Sequence, residues 1–193
     1  MSRWFTADLH LGHENIIRYC HRPFADVEAM NAALVERWNE VVAAGDEVWV
    51  LGDLAMGPIR ESLTLVAGLS GRKVLVAGNH DRCWNGYRGR PRARPEEWTA
   101  AYLDAGFDEI HQGTVELTVG GVGLLADHFP YQGDSQPVDR YTEFRPHDDG
   151  RWILHGHVHD RWRTEGRQVN VGVDVWDYRP VAEATIAEIV TSR

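Results

Sequence analysis

Three runs in the first half of the chain, RWFTA at 3–7, EVWVL at 47–51 and KVLVA at 73–77, are almost continuously apolar. That pattern suits buried parallel strands covered on both faces. Between the first two, Val27, Met30, Leu34, Trp38 and Val41 recur at spacings of three and four, which predicts an amphipathic helix with Asp26 as its N-cap. IRESLTLVAGL at 59–69 predicts a second helix, with Pro58 at its start and Gly71 beyond its end. The first half therefore reads strand, helix, strand, helix, strand.

The second half alternates differently. TVELTVGGVGLLAD at 114–127 predicts a hairpin turning at Gly120 and Gly121, and RWILHG at 151–156 and QVNVGVDV at 168–175 predict further strands. An α/β half followed by a β-rich half predicts an α/β fold of two stacked mixed sheets, a β-sandwich flanked by helices, in one domain over 1–193. Two stretches break the regular pattern: the basic, Gly- and Pro-containing 85–98, and the long polar 131–150. Loops of that length are often functional.

Composition narrows the function. With 43% hydrophobic and 25% charged residues the chain has a globular balance, no apolar run is long enough to span a bilayer, and MSRWFTADLH lacks a signal-peptide pattern. A cytoplasmic location is the expectation, with no membrane partner. Cys20 and Cys83 form no CxxC pair or zinc-finger spacing, in keeping with structural thiols in a reducing setting. The net charge of −9 argues against a stable nucleic-acid partner, which would draw on clustered Lys and Arg, although the basic run from Arg88 to Arg94 keeps a nucleic-acid end in view. A small anionic substrate remains compatible if a cation offsets the charge locally.

The chemistry gathers at strand ends. Asp8 and His10 follow the first strand, Asp53 the second, and Asn79, His80 and Asp81 the third; His128 follows the hairpin, and His155, His157 and His159 lie in ILHGHVHD at 153–160. Ligands of open α/β sheets sit outside the carboxyl ends of the strands, so these residues are expected at one rim. Imidazole and carboxylate without thiolate favour manganese, iron or zinc in a catalytic rather than a structural site.

In this order the motifs resemble the calcineurin-like metallophosphoesterase family: DxH at Asp8 and His10, GD at Gly52 and Asp53, GNHD at 78–81, a lone His128, and GHVH at 156–159. The opening FTADLHLGHENIIRYCHRPF looks like a bacterial and phage branch of small phosphoesterases. The resemblance implies two divalent metal ions, manganese foremost, with iron, zinc or nickel as alternatives. Asp8, His10 and His159 would hold one, Asn79, His128 and His157 the other, and Asp53 would bridge them. A hydroxide between such a pair attacks phosphorus in line. His80 would face the phosphate as the catalytic group, with Asp81 orienting it, and His155 would pack behind the site. Many relatives carry an Asp or Arg soon after GD, whereas this chain reads GDLAMGP.

Further candidates are His13, Arg22, Arg82, Trp84 and Arg145 as substrate contacts, and Asn15 as either a rim residue or a helix start; Trp38, Trp49 and Trp152 fit the core. The expected function is a two-metal phosphodiesterase acting on small phosphate esters, with 2′,3′- or 3′,5′-cyclic nucleotides first. Phosphomonoesterase or protein phosphatase activity, dinucleoside polyphosphate hydrolysis and DNA cleavage follow. A metallo-β-lactamase-like hydrolase is rejected because HGHVHD lacks the HxHxDH spacing. A non-catalytic scaffold on the same fold would have lost ligands, and here every expected ligand is present. The sequence leaves the oligomeric state open.

Overall fold

The computed structural model describes residues 1–87 and 94–192. Two five-stranded mixed sheets are stacked, with helices packed on the outer face of the first. The first sheet has the order β10-β1-β2-β3-β4, built from β1 (Arg3–Thr6), β2 (Glu47–Val50), β3 (Arg72–Val76), β4 (Glu109–His111) and β10 (Val181–Ala182). Its strands β1 to β4 are parallel, and β10 runs antiparallel to β1. The second has the order β5-β6-β7-β9-β8: β5 (Val115–Val119), β6 (Val122–Ala126), β7 (Trp152–His155), β9 (Gln168–Asn170) and β8 (Thr164–Glu165). Here β6, β7 and β9 are parallel, and β5 and β8 close the edges antiparallel.

Strand periodicity explains the layering. Phe5, Trp49, Leu51, Val74 and Val76 point into the space between the sheets and meet Leu124, Ala126, Leu154 and Val169 from the other side. Their neighbours Val48, Val50 and Leu75 point outward, against Met30, Leu34 and Trp38 of α2 (Val27–Val41) and Trp98 and Tyr102 of α4 (Pro95–Asp104). Burial on both faces is why the first strands read as continuous apolar runs. As expected, Asp26 caps α2, accepting from the Ala29 N–H at 2.8 Å, the hairpin turns at Gly120 and Gly121, and Trp38, Trp49 and Trp152 are buried.

Several elements depart from the expectation. The helix over 59–69 is α3 (Ile59–Leu63) followed by a 3₁₀ stretch, Thr64–Gly68; Thr64 Oγ1 donates back to the Glu61 carbonyl at 2.6 Å, a local bond that competes with the regular helix ladder. The strand over 168–175 stops at Asn170, and Val173–Val175 forms a 3₁₀ turn. The basic stretch ends inside α4, whose first residue is Pro95; positions 88–93 of that stretch lie outside the described residues. The helices α1 (Glu14–Tyr19) and α5 (Glu183–Thr191) and the strand β4 are additional. Among the described residues no helix is long and apolar enough to cross a membrane.

Candidate metal centre

Parallel strands bring the polar residues to one rim. Beyond β1 the Asp8 N–H donates to the Gly52 carbonyl and the His10 N–H to that of Asp53, both at 3.0 Å, which sets the DxH segment beside the GD turn. Within the second sheet the Gly156 N–H donates to the His128 carbonyl at 3.1 Å, and the two sheets are joined here by the His157 N–H, which donates to Asp8 Oδ2 at 2.9 Å. Glycine is required where backbone closes on the cluster: a Cβ on Gly78 would lie 2.5 Å from Asp53 Oδ1, and one on Gly156 2.8 Å from Asp8 Oδ2.

Asp8, His10, Asp53 and His159 each offer a ligand atom within 4.8 Å of the others. Asp53 Oδ2 is 3.8 Å from His10 Nε2 on one side and 3.6 Å from His128 Nε2 on the other, while Oδ1 accepts the His80 N–H at 2.8 Å. Asn79 Oδ1 lies 3.0 Å from His128 Nε2, and the His157 ring stands 5.3 Å from that of His128. The structure thus brings all seven residues expected as ligands to one rim around Asp53, with Asp8, His10, Asp53 and His159 the most compact group among the described residues.

The donor set fits divalent cations. His128 Nδ1 donates to the Leu51 carbonyl at 2.9 Å, so its Nε2 faces Asn79 Oδ1 with a lone pair unless a proton or a cation lies between them. His10 Nε2 and His159 Nε2 approach to 3.1 Å, and buried His10 Nδ1 has no protein partner. Burial pushes the Asp8 carboxyl up to about 8, helped by the nearby Asp53 charge. Burial likewise pushes His10 well down, His157 to about 4 and His159 to about 3. Asp53 keeps its charge, since the attraction of His128 and His80 outweighs burial, and His128 is raised because Asp53 and Asp8 outweigh its own burial. Neutral imidazoles of His10, His157 and His159 around a charged Asp53 are what divalent cations bind.

The remaining candidates separate. His80 is about one-third exposed, with Nε2 3.9 Å from Asp53 Oδ2, so it stands on the open side. His13 is half-buried on the same rim, its ring 5.3 Å from that of His10 and its Nδ1 without a hydrogen bond. Asp81 is fully buried and makes no hydrogen bond to the His80 ring. It accepts instead from the Asp53, Leu54 and Gly78 N–H groups at 2.8, 3.1 and 2.9 Å and from the Tyr102 hydroxyl at 3.1 Å. Its work is to hold the GD and GNHD turns together.

Arg22, expected as a substrate contact, is buried. It forks onto Asp174 at 2.8 and 2.9 Å and donates to the Asp8 and Leu9 carbonyls at 2.7 and 2.9 Å, so its donors hold the DxH segment. Trp84 is buried too, packed on Phe129 and Phe144 with ring centroids 5.5 and 4.8 Å away. Arg82 lies over the Trp98 ring at 4.7 Å, and Arg145 pairs with Asp139 at 3.2 Å. Asn15 is exposed in the first turn of α1, one residue beyond its start at Glu14, where Arg18 reaches its Oδ1 at 3.4 Å. His155 is buried, with Nδ1 donating to the Gly156 carbonyl at 2.7 Å and the ring on Trp162.

Sequence reasoning missed Asp134, whose Oδ2 accepts from His157 Nε2 at 2.9 Å, and Asn170, which donates to the His159 carbonyl at 2.7 Å. Asn170 is a polar residue alternating with valines in QVNV, a usable signal; Asp134 sits in a polar loop with none. Cys20 Sγ lies 3.5 Å from His159 Nδ1.

Comparison with known proteins agrees with this geometry. The family described as calcineurin-like phosphoesterase matches residues 1–161. The Gene 66 protein of Mycobacterium phage D29 is 39% identical over 189 residues, covering 93% of this chain and 92% of the phage protein. An uncharacterized protein of Methanocaldococcus jannaschii is 30% identical, covering 97% and 90%. A crystal structure of a protein of unknown function from Aquifex aeolicus superposes with a TM-score of 0.70 at 26% identity, covering 98% and 99%.

Proposed function

Because the chain belongs to the calcineurin-like phosphoesterase family, we propose that it is a two-metal phosphodiesterase acting on small phosphate esters, with cyclic nucleotides as the first substrate class. The observation that supports this reading is the position of Asp53: one carboxylate oxygen lies 3.8 Å from His10 and 3.6 Å from His128, within reach of an imidazole from each of the two expected ligand sets. Asp8, His10 and His159 would hold one cation, Asn79, His128 and His157 the other, and Asp53 both. Manganese is the first choice for a site of imidazole, carboxylate and amide donors.

When bound, the cations supply Lewis acidity and positive charge where phosphoryl oxygens gather charge. The chain's own residues do the rest. Asp53 and Asp8 hold the spacing of the donors, fixed in turn by the Asp81 and Arg22 networks. His80, the exposed imidazole beside Asp53, is placed to hydrogen-bond a phosphate oxygen or to give a proton to the leaving oxygen. His13 would line the rim on the far side of His10.

The test is hydrolysis of bis-p-nitrophenyl phosphate against p-nitrophenyl phosphate by metal-stripped protein, with manganese, nickel, zinc or magnesium restored. Faster diester cleavage with manganese is expected. Preferred monoester cleavage would make the chain a phosphomonoesterase, and no cleavage with any metal would make it a scaffold.

A further inference from the structure

Asp134 belongs to none of the motifs, yet its side chain is completely buried. It lies in the 131–150 segment, where the only regular element is a 3₁₀ turn at Thr142–Phe144. Its Oδ1 accepts the Gln136 N–H at 2.9 Å and Arg140 Nη2 at 2.7 Å; its Oδ2 accepts the Arg140 N–H at 2.9 Å and lies 3.6 Å from Arg145 Nη2. The segment is therefore folded around this one carboxylate. The same Oδ2 reaches His157 Nε2 at 2.9 Å.

A carboxylate held by two guanidinium groups is acceptor-only, so the proton in that contact belongs to the imidazole. A neutral imidazole has a single N–H, and spending it on Asp134 leaves the lone pair on Nδ1. The His157 N–H is meanwhile fixed on Asp8, and its backbone lies in the left-handed region at φ 72°, so main chain and ring are both restrained. We infer that Asp134 is a positioning residue: it fixes His157 as the Nε2–H tautomer, which presents Nδ1 to the second cation. Carboxylates behind metal-binding histidines act in this way in general. The inference rests on the two-metal reading above for the cation, though not for the tautomer.

The experiment uses the full chain, stripped of metal and titrated with manganese by calorimetry and electron paramagnetic resonance. Wild type should take up two equivalents. Asp134→Ala should keep the first and bind the second about 10- to 100-fold more weakly. Asp134→Asn, which still offers an acceptor, should recover part of the loss. Asp139→Asn removes a segment carboxylate that touches Arg145 and the Gly133 N–H but not His157, and it should leave the second affinity unchanged. Nitrogen chemical shifts of His157 in the metal-free protein should report the Nε2–H form in wild type and a tautomer mixture in Asp134→Ala. Unchanged second-site affinity in Asp134→Ala, or an equal loss in Asp139→Asn, would overturn the inference. If wild type bound fewer than two equivalents, the two-metal reading would fail, and the tautomer shifts would still decide the role of Asp134.

Discussion

Five of the residues at the rim, Asp8, His10, Asp53, His157 and His159, have φ between 51° and 72°, a backbone region that side-chain-bearing residues avoid. Such strain costs on the order of 1–3 kcal/mol per residue and persists where the surroundings over-determine it. Here they do: the Arg22–Asp174 pair grips the Asp8 carbonyl, and Asp81 grips the Asp53 N–H. The residues that gather at the rim were legible because their spacing is set by strand ends; the clamps were not, since Asp174 and Asp134 come from distant segments with no local pattern. Arg22 and Trp84 misled because arginine and tryptophan serve equally as binding groups and as buried anchors.

His155 gives a residue-scale prediction. Burial pushes its pKa from 6.5 to about 3, so between those values the unfolded chain binds a proton that the folded chain refuses. Stability from this group is complete above pH 6.5 and is lost as pH falls, by up to about 1.4 kcal/mol per pH unit. Asp8, raised to about 8, acts in the opposite direction, which is why a comparison of variants is needed. In urea unfolding with chelator present, His155→Phe should lose about 1.4 kcal/mol less than wild type between pH 7.5 and 5.5. Equal pH slopes would contradict a neutral, buried His155.

At the scale of elements, the helix α2 was readable from its start because apolar periodicity and an N-cap agreed, and β1 to β3 because burial on both faces leaves a continuous apolar run. The helix α5 carries a usable signal, with Ile186 and Val190 buried four residues apart, but a short helix has few turns in which a period can show. The turn after β3 is the most demanding local structure. Gly78 there faces Asp53 Oδ1, the Asp53 N–H and the His128 ring, with its missing Cβ 2.5 to 2.8 Å from each. None is the free end of a flexible side chain, so Gly78→Ala must push the Asp53 carboxylate or the β3 turn aside. Manganese uptake by Gly78→Ala should fall below one tight equivalent, and diester cleavage at least about 100-fold, since a misplacement of 1 Å in a catalytic site has that effect. Two tight equivalents in this variant would mean that the turn tolerates the methyl and that the close approach is not needed.

At the scale of the whole molecule, the two sheets meet at the rim through charged groups as well as through the core. Asp8 and Asp53 come from the first sheet, His128, His157 and His159 from the second, and burial opposes the charge of each carboxylate. Without cations the fold must keep two buried acids close together, on strained backbone, across the seam between its layers. Binding that favours the folded state stabilises it by about 2.7 kcal/mol per site at a metal concentration 100 times Kd. In a chain of this size each kcal/mol raises Tm by roughly 2–4 °C, so saturating manganese should raise Tm by roughly 5–10 °C per occupied site over chelator-treated protein. Asp53→Asn, which removes the Asp53 charge, should lose most of that rise while changing the chelated Tm little or downward, because the attraction of His128 and His80 for that charge outweighs the cost of its burial. Calorimetry on both proteins, with and without manganese, measures this directly. A wild-type Tm indifferent to metal would show that the strain and buried charge at the seam are carried by the protein alone.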